Sequence, residues 1–221
     1  MRKYWPRGAA SPPRCRFDQS WAAFVRNHAR AIVACDFVTV VPLNFTRRLY
    51  VLVVMEIASR KILHVNVTEH PSAAWTTQQL REAIPADHAF HYLIHDRDSI
   101  FSSELDAAVR RLGIAVLKSP PRSPKANAFC ERLIGSMRRE SLDFMIPLGQ
   151  GHLRYIVRQW AEHYNRGRPH TSLGPAIPAP PEGLPVALQP HRHRWPADAK
   201  VTSTSVLGGL HHDYRLETRA A

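Results

Sequence analysis

The run Ala31-Ile32-Val33-Ala34-Cys35-Asp36-Phe37-Val38-Thr39-Val40-Val41 is apolar at odd and even positions alike, with one carboxylate near its middle. A stretch that is apolar on both faces reads as the central strand of a sheet covered on both sides. An ionised Asp36 in such a place is costly unless it is paired or bound to metal. Strand and acid therefore have to be explained together.

Outward from this strand, Leu49 to Ile57 is a second β-rich run, Ala58-Ser59-Arg60 a short connection, and Lys61 to Thr68 a third run. In the third, Leu63, Val65 and Val67 alternate with His64 and Asn66, so one face is expected to be wet. Pro71 suits the first turn of a helix carrying Ala73, Thr77, Leu80 and Ile84. His91 to His95 is a short strand. Ser102 or Ser103 can cap a helix with Leu105, Ala108, Val109 and Leu112 on one face, which Gly113 ends. Ile114 to Leu117 is another strand. Three strands followed by helix, strand, helix, strand make an α/β sheet with a mixed first half. Helical spacing also marks Trp21, Phe24, Val25 and His28 upstream. Downstream it marks Cys130, Leu133, Ile134 and Met137, then Leu153, Ile156, Val157, Trp160 and Tyr164.

The 221 residues, 44% hydrophobic, suffice for a core without disulfide or metal staples. Thirty Lys and Arg against 18 Asp and Glu give +12, which points to a polyanionic partner, nucleic acid first. Residues 1–30 hold seven basic groups and one acid; with Pro6, Gly8, Pro12 and Pro13 the reading is a flexible basic arm over 1–20. The longest apolar run, Leu49 to Met55, is far short of the roughly 20 residues of a membrane helix. The N-terminus lacks the apolar stretch of a signal peptide. Cys15, Cys35 and Cys130, odd in number and without zinc spacing, read as reduced thiols of a cytoplasmic protein.

Three acids occupy unusual places. Asp36 is mid-strand, and Asp96 follows the strand ending at His95, where ligands collect in open α/β sheets. Glu131 lies in the first turns of a helix beside Cys130 and Ile134, so it is expected to point to the sheet edge in ionised form. Carboxylates are the preferred ligands of Mg²⁺. Two such ions about 4 Å apart can clamp the attacking and leaving oxygens of an in-line phosphoryl transfer. Each acid also has a purely structural reading. Asp36 can bond backbone amides, Asp96 can cap a turn with Asp98 competing, and Glu131 can pair with Arg132 or Lys125.

Taken together, Ala34-Cys35-Asp36-Phe37, His95-Asp96-Arg97-Asp98-Ser99-Ile100-Phe101 and Ser123-Pro124-Lys125-Ala126-Asn127-Ala128-Phe129-Cys130-Glu131-Arg132 resemble the DDE catalytic core of retroviral integrases, and more closely that of bacterial insertion-sequence transposases. Fifty-nine residues separate the first two acids and 34 the second pair, the latter a spacing typical of that superfamily. Tyr164-Asn165, Arg168-Pro169-His170 and Leu173 resemble the closing motif of these transposases. The resemblance covers about residues 21–175, leaving 176–221 as a proline-rich linker and short tail.

The resemblance implies an RNase H-like fold, a five-stranded mixed sheet flanked by helices. It also implies Asp36, Asp96 and Glu131 as catalytic ligands of two Mg²⁺ ions, with Mn²⁺ as a substitute. The implied activity is DNA integration and transposition, in which the end of an element is nicked and joined to target DNA. Basic residues on the face of Glu131 hold DNA in related integrases, which marks Arg138; Arg122 and Lys125 flank the loop before that helix. A homo-oligomer on DNA is expected, in the bacterial cytoplasm and on the nucleoid. About 30 residues precede the first strand, too few for a helix-turn-helix. End recognition is therefore expected from a separate subunit, or else the chain is an inactive, truncated DNA-binding remnant. A nuclease of the RNase H type would need a further carboxylate on the helix after the third strand, where only Glu82 is available.

Overall fold

The computed structural model describes residues 20–45, 47–96, 98, 100–118, 127–174, 176–180 and 199–218. The expected basic arm up to residue 19 and most of the expected linker lie outside them, as do Arg122 and Lys125. Helix α1 (Trp21–His28) leads through a short turn into β1 (Ile32–Val40). Then come β2 (Leu49–Glu56), β3 (Ile62–Thr68), α2 (Ala73–Ala83), β4 (Tyr92–His95), α3 (Ser103–Arg111) and β5 (Ala115–Lys118). Helices α4 (Ala128–Met137) and α5 (Gln150–Arg166) follow, joined through one wide turn at Arg138–Leu142, and a hairpin of β6 (Ala199–Val206) and β7 (His211–Thr218) comes last.

The main sheet has the order β3-β2-β1-β4-β5. Strands β1, β2 and β3 are antiparallel neighbours, whereas β4 runs parallel to both β1 and β5. This is the expected five-stranded mixed sheet with helices on both faces. The starts of α1, α2 and α3 are set by serines: Ser20, Ser72 and Ser102 accept from the amides of Ala23, Trp75 and Leu105. Gly113, at φ +81°, supplies the left-handed residue that ends α3.

Strand β1 is buried from both sides, and its alternation sorts its side chains. Ile32, Ala34 and Val38 join the core under α4 and α5, with Cys130, Leu133, Leu153 and Trp160. Val33 and Cys35 join the core under α2 and α3, with Leu80, Leu105 and Val109. The face of β3 read as wet is instead covered by α2: Gln79 takes hydrogen bonds from both His64 Nε2 (2.9 Å) and Asn66 Nδ2 (2.6 Å). Polar residues alternate there because they meet a polar side chain rather than solvent.

Strand β3 is a sheet edge, and edges need protection from further pairing. Here α5 supplies it with side chains. Gln150 Nε2 and Arg154 Nη2 donate to the carbonyl of Val67, each at 3.1 Å. At the other end, Asn165 Oδ1 accepts from Ile62 N and its Nδ2 donates to Ile62 O, both at 2.9 Å. The hairpin β6–β7 packs on the same helix. Val206 and Leu207 enter its core, His163 Nδ1 bonds Asp213 Oδ1 at 2.5 Å, and His211 stacks on His163 at 4.6 Å.

Replacing Asn165 with Ala strips both bonds from Ile62 in one step. The Asn165→Ala protein should lose about 1–3 kcal/mol of unfolding free energy. Hydrogen-exchange protection should fall first at the Ile62 amide. Unchanged protection there would show that the edge is held by packing alone.

Candidate active site

Asp36 stands on the β1 face that carries Ile32, Ala34 and Val38, which is the face of α4. Its Oδ1 accepts from the amide of Phe37 at 2.7 Å. The β1–β4 register pairs Ile32 with Tyr92, Val33 with Leu93 and Ala34 with Ile94; two residues further along each strand stand Asp36 and Asp96. Asp96 lies just past the end of β4, where its Oδ1 accepts from Asp98 N at 3.0 Å.

The third acid arrives with α4. Asn127, buried at the helix start, donates from Nδ2 to the carbonyl of Cys35 at 3.3 Å, and Glu131 N donates to Asn127 O in the first turn. This bond pins the start of α4 to the residue before Asp36 and brings Glu131 within electrostatic reach of it. Glu131 itself is exposed, while Cys130 beside it takes the buried position.

The grouping shows in the chemistry of Asp36. Its carboxyl is pushed up from 3.8 to about 7, first by burial and then by the charges of Asp96, Glu131 and Asp98, against the lowering effect of the Phe37 amide. Among the described residues no Lys, Arg or His lies within ion-pair distance of Asp36, Asp96 or Glu131. Nor do the described residues contain a group of three or more His, Cys, Asp or Glu drawn together closely enough to hold a metal ion. Asp36 thus carries the repulsion of Asp96, Glu131 and Asp98, and carboxylates so placed are the ligand type that Mg²⁺ takes one or two at a time while keeping several waters.

Other residues support the site without standing in it. His95 is buried with both ring nitrogens facing oxygens, Nδ1 toward Asp96 O at 2.6 Å and Nε2 toward Asp106 Oδ1 at 3.0 Å. Lys118 Nζ from β5 holds the other oxygen of Asp106 at 2.6 Å. The ends of β4, α3 and β5 are thus tied together directly behind Asp96. Periodicity gives no sign of this chain of contacts, because Asp106 reads as a surface acid of α3. Arg138 is exposed and donates from Nη2 to Thr39 O at 3.3 Å, near the end of β1. Glu82 lies on α2, 3.9 Å from His64, and is not among the groups that perturb Asp36. Cys35 and Cys130 are free buried thiols, pushed up mainly by burial.

The closing motif is structural in its contacts. Asn165 clamps β3, and Arg168 forks onto Glu140 with Nε and Nη2 at 2.6–3.0 Å. His170 N donates to Ala176 O. His211 Nε2 donates to Glu140 O at 2.7 Å, so the same segment also receives the hairpin.

Residues 112–178, from the end of α3 past this motif, match the integrase core domain family. The chain is 28% identical over 134 residues to an uncharacterised 39.2 kDa protein of insertion element IS476 from Xanthomonas euvesicatoria, covering 60% of this chain and 39% of that protein. It thus spans well under half the length of that relative. Its fold is similar to a chain of the simian T-cell lymphotropic virus intasome solved with the PP2A regulatory subunit B56 gamma (TM-score 0.56, 14% identity, 84% of this chain and 66% of that one). It is also similar to the catalytic core domain of BIV integrase (TM-score 0.51, 16% identity, 67% and 91%). The fold is therefore the RNase H-like fold of integrase cores. The family match and the fold point the same way, to the integrase core, which this chain resembles, and the relative comes from an insertion element.

Proposed function

We propose that the chain is the catalytic part of a DNA transposase that nicks the end of an element and joins it to target DNA. The observation that carries this reading is that the charges of Asp96, just past the end of β4, and Glu131, in the first turn of α4, both act on Asp36 in the middle of β1. Asp36 and Asp96 would hold divalent metal from adjacent strands, with Glu131 closing from the exposed helix. Two Mg²⁺ ions, or Mn²⁺ in their place, would supply positive charge to the attacking and leaving oxygens.

In the first displacement the oxygen of water bonds to phosphorus, the P–O3′ bond breaks, and the released 3′-oxygen takes a proton. In the second, that 3′-hydroxyl attacks a phosphodiester of the target, and the target's own 3′-oxygen leaves. Each step exchanges one P–O bond for another, so positioning and electrostatic stabilisation carry the catalysis. The chain's part is to hold the reacting phosphate against the carboxylate end of the sheet. Arg138 on α4, with Arg122 and Lys125 from the preceding loop, would contact DNA phosphates, adding affinity with little sequence choice. The basic arm over residues 1–20 would act in the same way. A homo-oligomer on DNA, recognition of element ends by a separate helix-turn-helix subunit, and a cytoplasmic, nucleoid-bound location belong to the same reading. Among the described residues no helix is long and apolar enough to cross a membrane.

A Glu131→Gln protein should keep its fold and its DNA affinity while nicking and strand joining fall at least a hundredfold, the order expected when an electrostatic group of the reaction is removed. Joining at the wild-type rate would reject the assignment.

Metal-free protein offers a second test. The folded carboxyl of Asp36 titrates near 7 and the unfolded one near 3.8, so between these values the folded state keeps a proton that the unfolded state has lost. Stability attributable to Asp36 should therefore fall as pH rises through that window and level off above about 7. Asp36→Asn should flatten this part of a chemical-denaturation profile. Added Mg²⁺ at pH 7.5 should raise the midpoint of wild type but not of the variant.

A further inference from the structure

A second cationic feature lies off the carboxylates, where the β2–β3 turn meets α4 and the end of α5. A cavity of about 140 Å³ is lined there by Arg60, Phe129, Arg132, Tyr164, Arg168 and His170. None of the three acids lines it. Of its three guanidinium groups, that of Arg168 is neutralised by Glu140. Among the described residues no acid lies within ion-pair distance of Arg60 or Arg132.

Two polar atoms at this cavity are buried without a partner, Arg60 Nη1 and His170 Nε2, and His170 is only 8% exposed. A buried polar atom without a partner is costly. The cost falls here on nitrogens of two residues that line the same cavity, and an oxyanion is the group that accepts from such donors. Arg60 is also held in place under strain. Its φ of +65° is a left-handed conformation that favours glycine, and its guanidinium lies over the Phe129 ring at 4.0 Å from the centroid. Burial and the neighbouring Arg132 lower the pKa of Arg60, and burial and Arg168 lower that of His170. A negative charge would reverse both penalties. Arg132 and Ser172, on the rim, are exposed, so the cavity is open to a chain passing over it.

We propose that this pocket is a phosphate-binding site, built on Arg60, Arg132 and His170, that seats a backbone phosphate of DNA apart from the phosphodiester at the carboxylates. The choice of DNA rests on the function proposed above; the oxyanion chemistry does not. Successive residues of a helix point about 100° apart. Glu131 and Arg132 thus turn to different sides of α4, one toward Asp36 and the other toward this pocket. DNA lying across α4 would meet the acids on one side and the pocket on the other.

The test uses the full chain without divalent metal, so it is independent of nicking and joining. Inorganic phosphate is titrated while the His170 ring is followed by NMR, and DNA affinity is measured against salt. Arg60→Ala, Arg132→Gln and, as a control on the far side of the sheet, the exposed Arg110→Gln are compared. Thermal midpoints check folding, and Arg132→Gln keeps the test intact if Arg60→Ala unfolds. Phosphate should shift the His170 signals in wild type and much less in Arg132→Gln. DNA binding should weaken about tenfold in Arg60→Ala and Arg132→Gln, with a salt slope shallower by about one, and stay unchanged in Arg110→Gln. A phosphate response with DNA affinity unchanged in both pocket variants would overturn the DNA assignment and leave a free-phosphate site. No phosphate response at His170 would overturn the site itself, whatever becomes of Glu131→Gln.

Discussion

A carboxylate in the middle of a strand covered on both faces is the constraint around which this molecule is arranged. Asp36 is flanked by Cys35 and Phe37, which go into the core under α2 and α3, so its own side chain must go toward α4. A slip of one residue in β1 would exchange the acid for Phe37 and bury Asp36 among Leu80, Leu105 and Val109. Eight paired positions with β2, from Val33 opposite Glu56 to Val40 opposite Leu49, hold that register. The parallel pairing with β4 then sets Asp96 beside Asp36 without any direct bond between them. The cost of burial therefore falls on one known side chain in one known place, and Asp96 and Glu131 add to it through their charges.

The helices of the second half fix where Glu131 can be. Asn127 ties the start of α4 to β1, and Arg138 ties its end to Thr39, so α4 runs beside β1 from the residue before Asp36 to the strand's last turn. Helix α5 grips the sheet edge with Gln150, Arg154 and Asn165. Arg168 then returns to Glu140, in the wide turn between the two helices. The motif after Tyr164 thus locks the connection of α4 and α5, which explains how residues far from the carboxylates bear on the position of Glu131.

Most of the sheet was legible in the sequence because strand and helix periods are local. The runs at 31–41, 49–57, 61–68, 91–95 and 114–117 each became a strand within a residue or two of the reading. Asp36 and Asp96 were legible for the same reason, since each stands at a definite place on a strand. What depends on distant partners was not. His64 and Asn66 read as a wet face because Gln79 is 13 to 15 residues away. The contact of His95 with Asp106 has no sign in the spacing, because it forms only through the fold. Arg60 read as part of a short connection because its positive φ and its place over Phe129 have no signature in the spacing.

The charge of the chain then divides by environment rather than by count. Thirty basic groups against 18 acids give the whole molecule its attraction for polyanions, and at exposed positions that attraction is screened within about 10 Å at ordinary salt. The three site acids work against it and repel one another besides. A phosphodiester approaching Asp36, Asp96 and Glu131 meets negative charge unless cations intervene, whereas one approaching half-buried Arg60 and exposed Arg132 meets positive charge that no acid among the described residues matches. Desolvation thus acts in opposite senses at the two places. At the sheet end it disfavours the negative charge of Asp36, and at the β2–β3 turn it disfavours the positive charge of Arg60. The helix that separates them, α4, carries Glu131 and Arg132 side by side in sequence and on different sides in space, so a single element orients both halves of the electrostatic field that a nucleic acid would encounter.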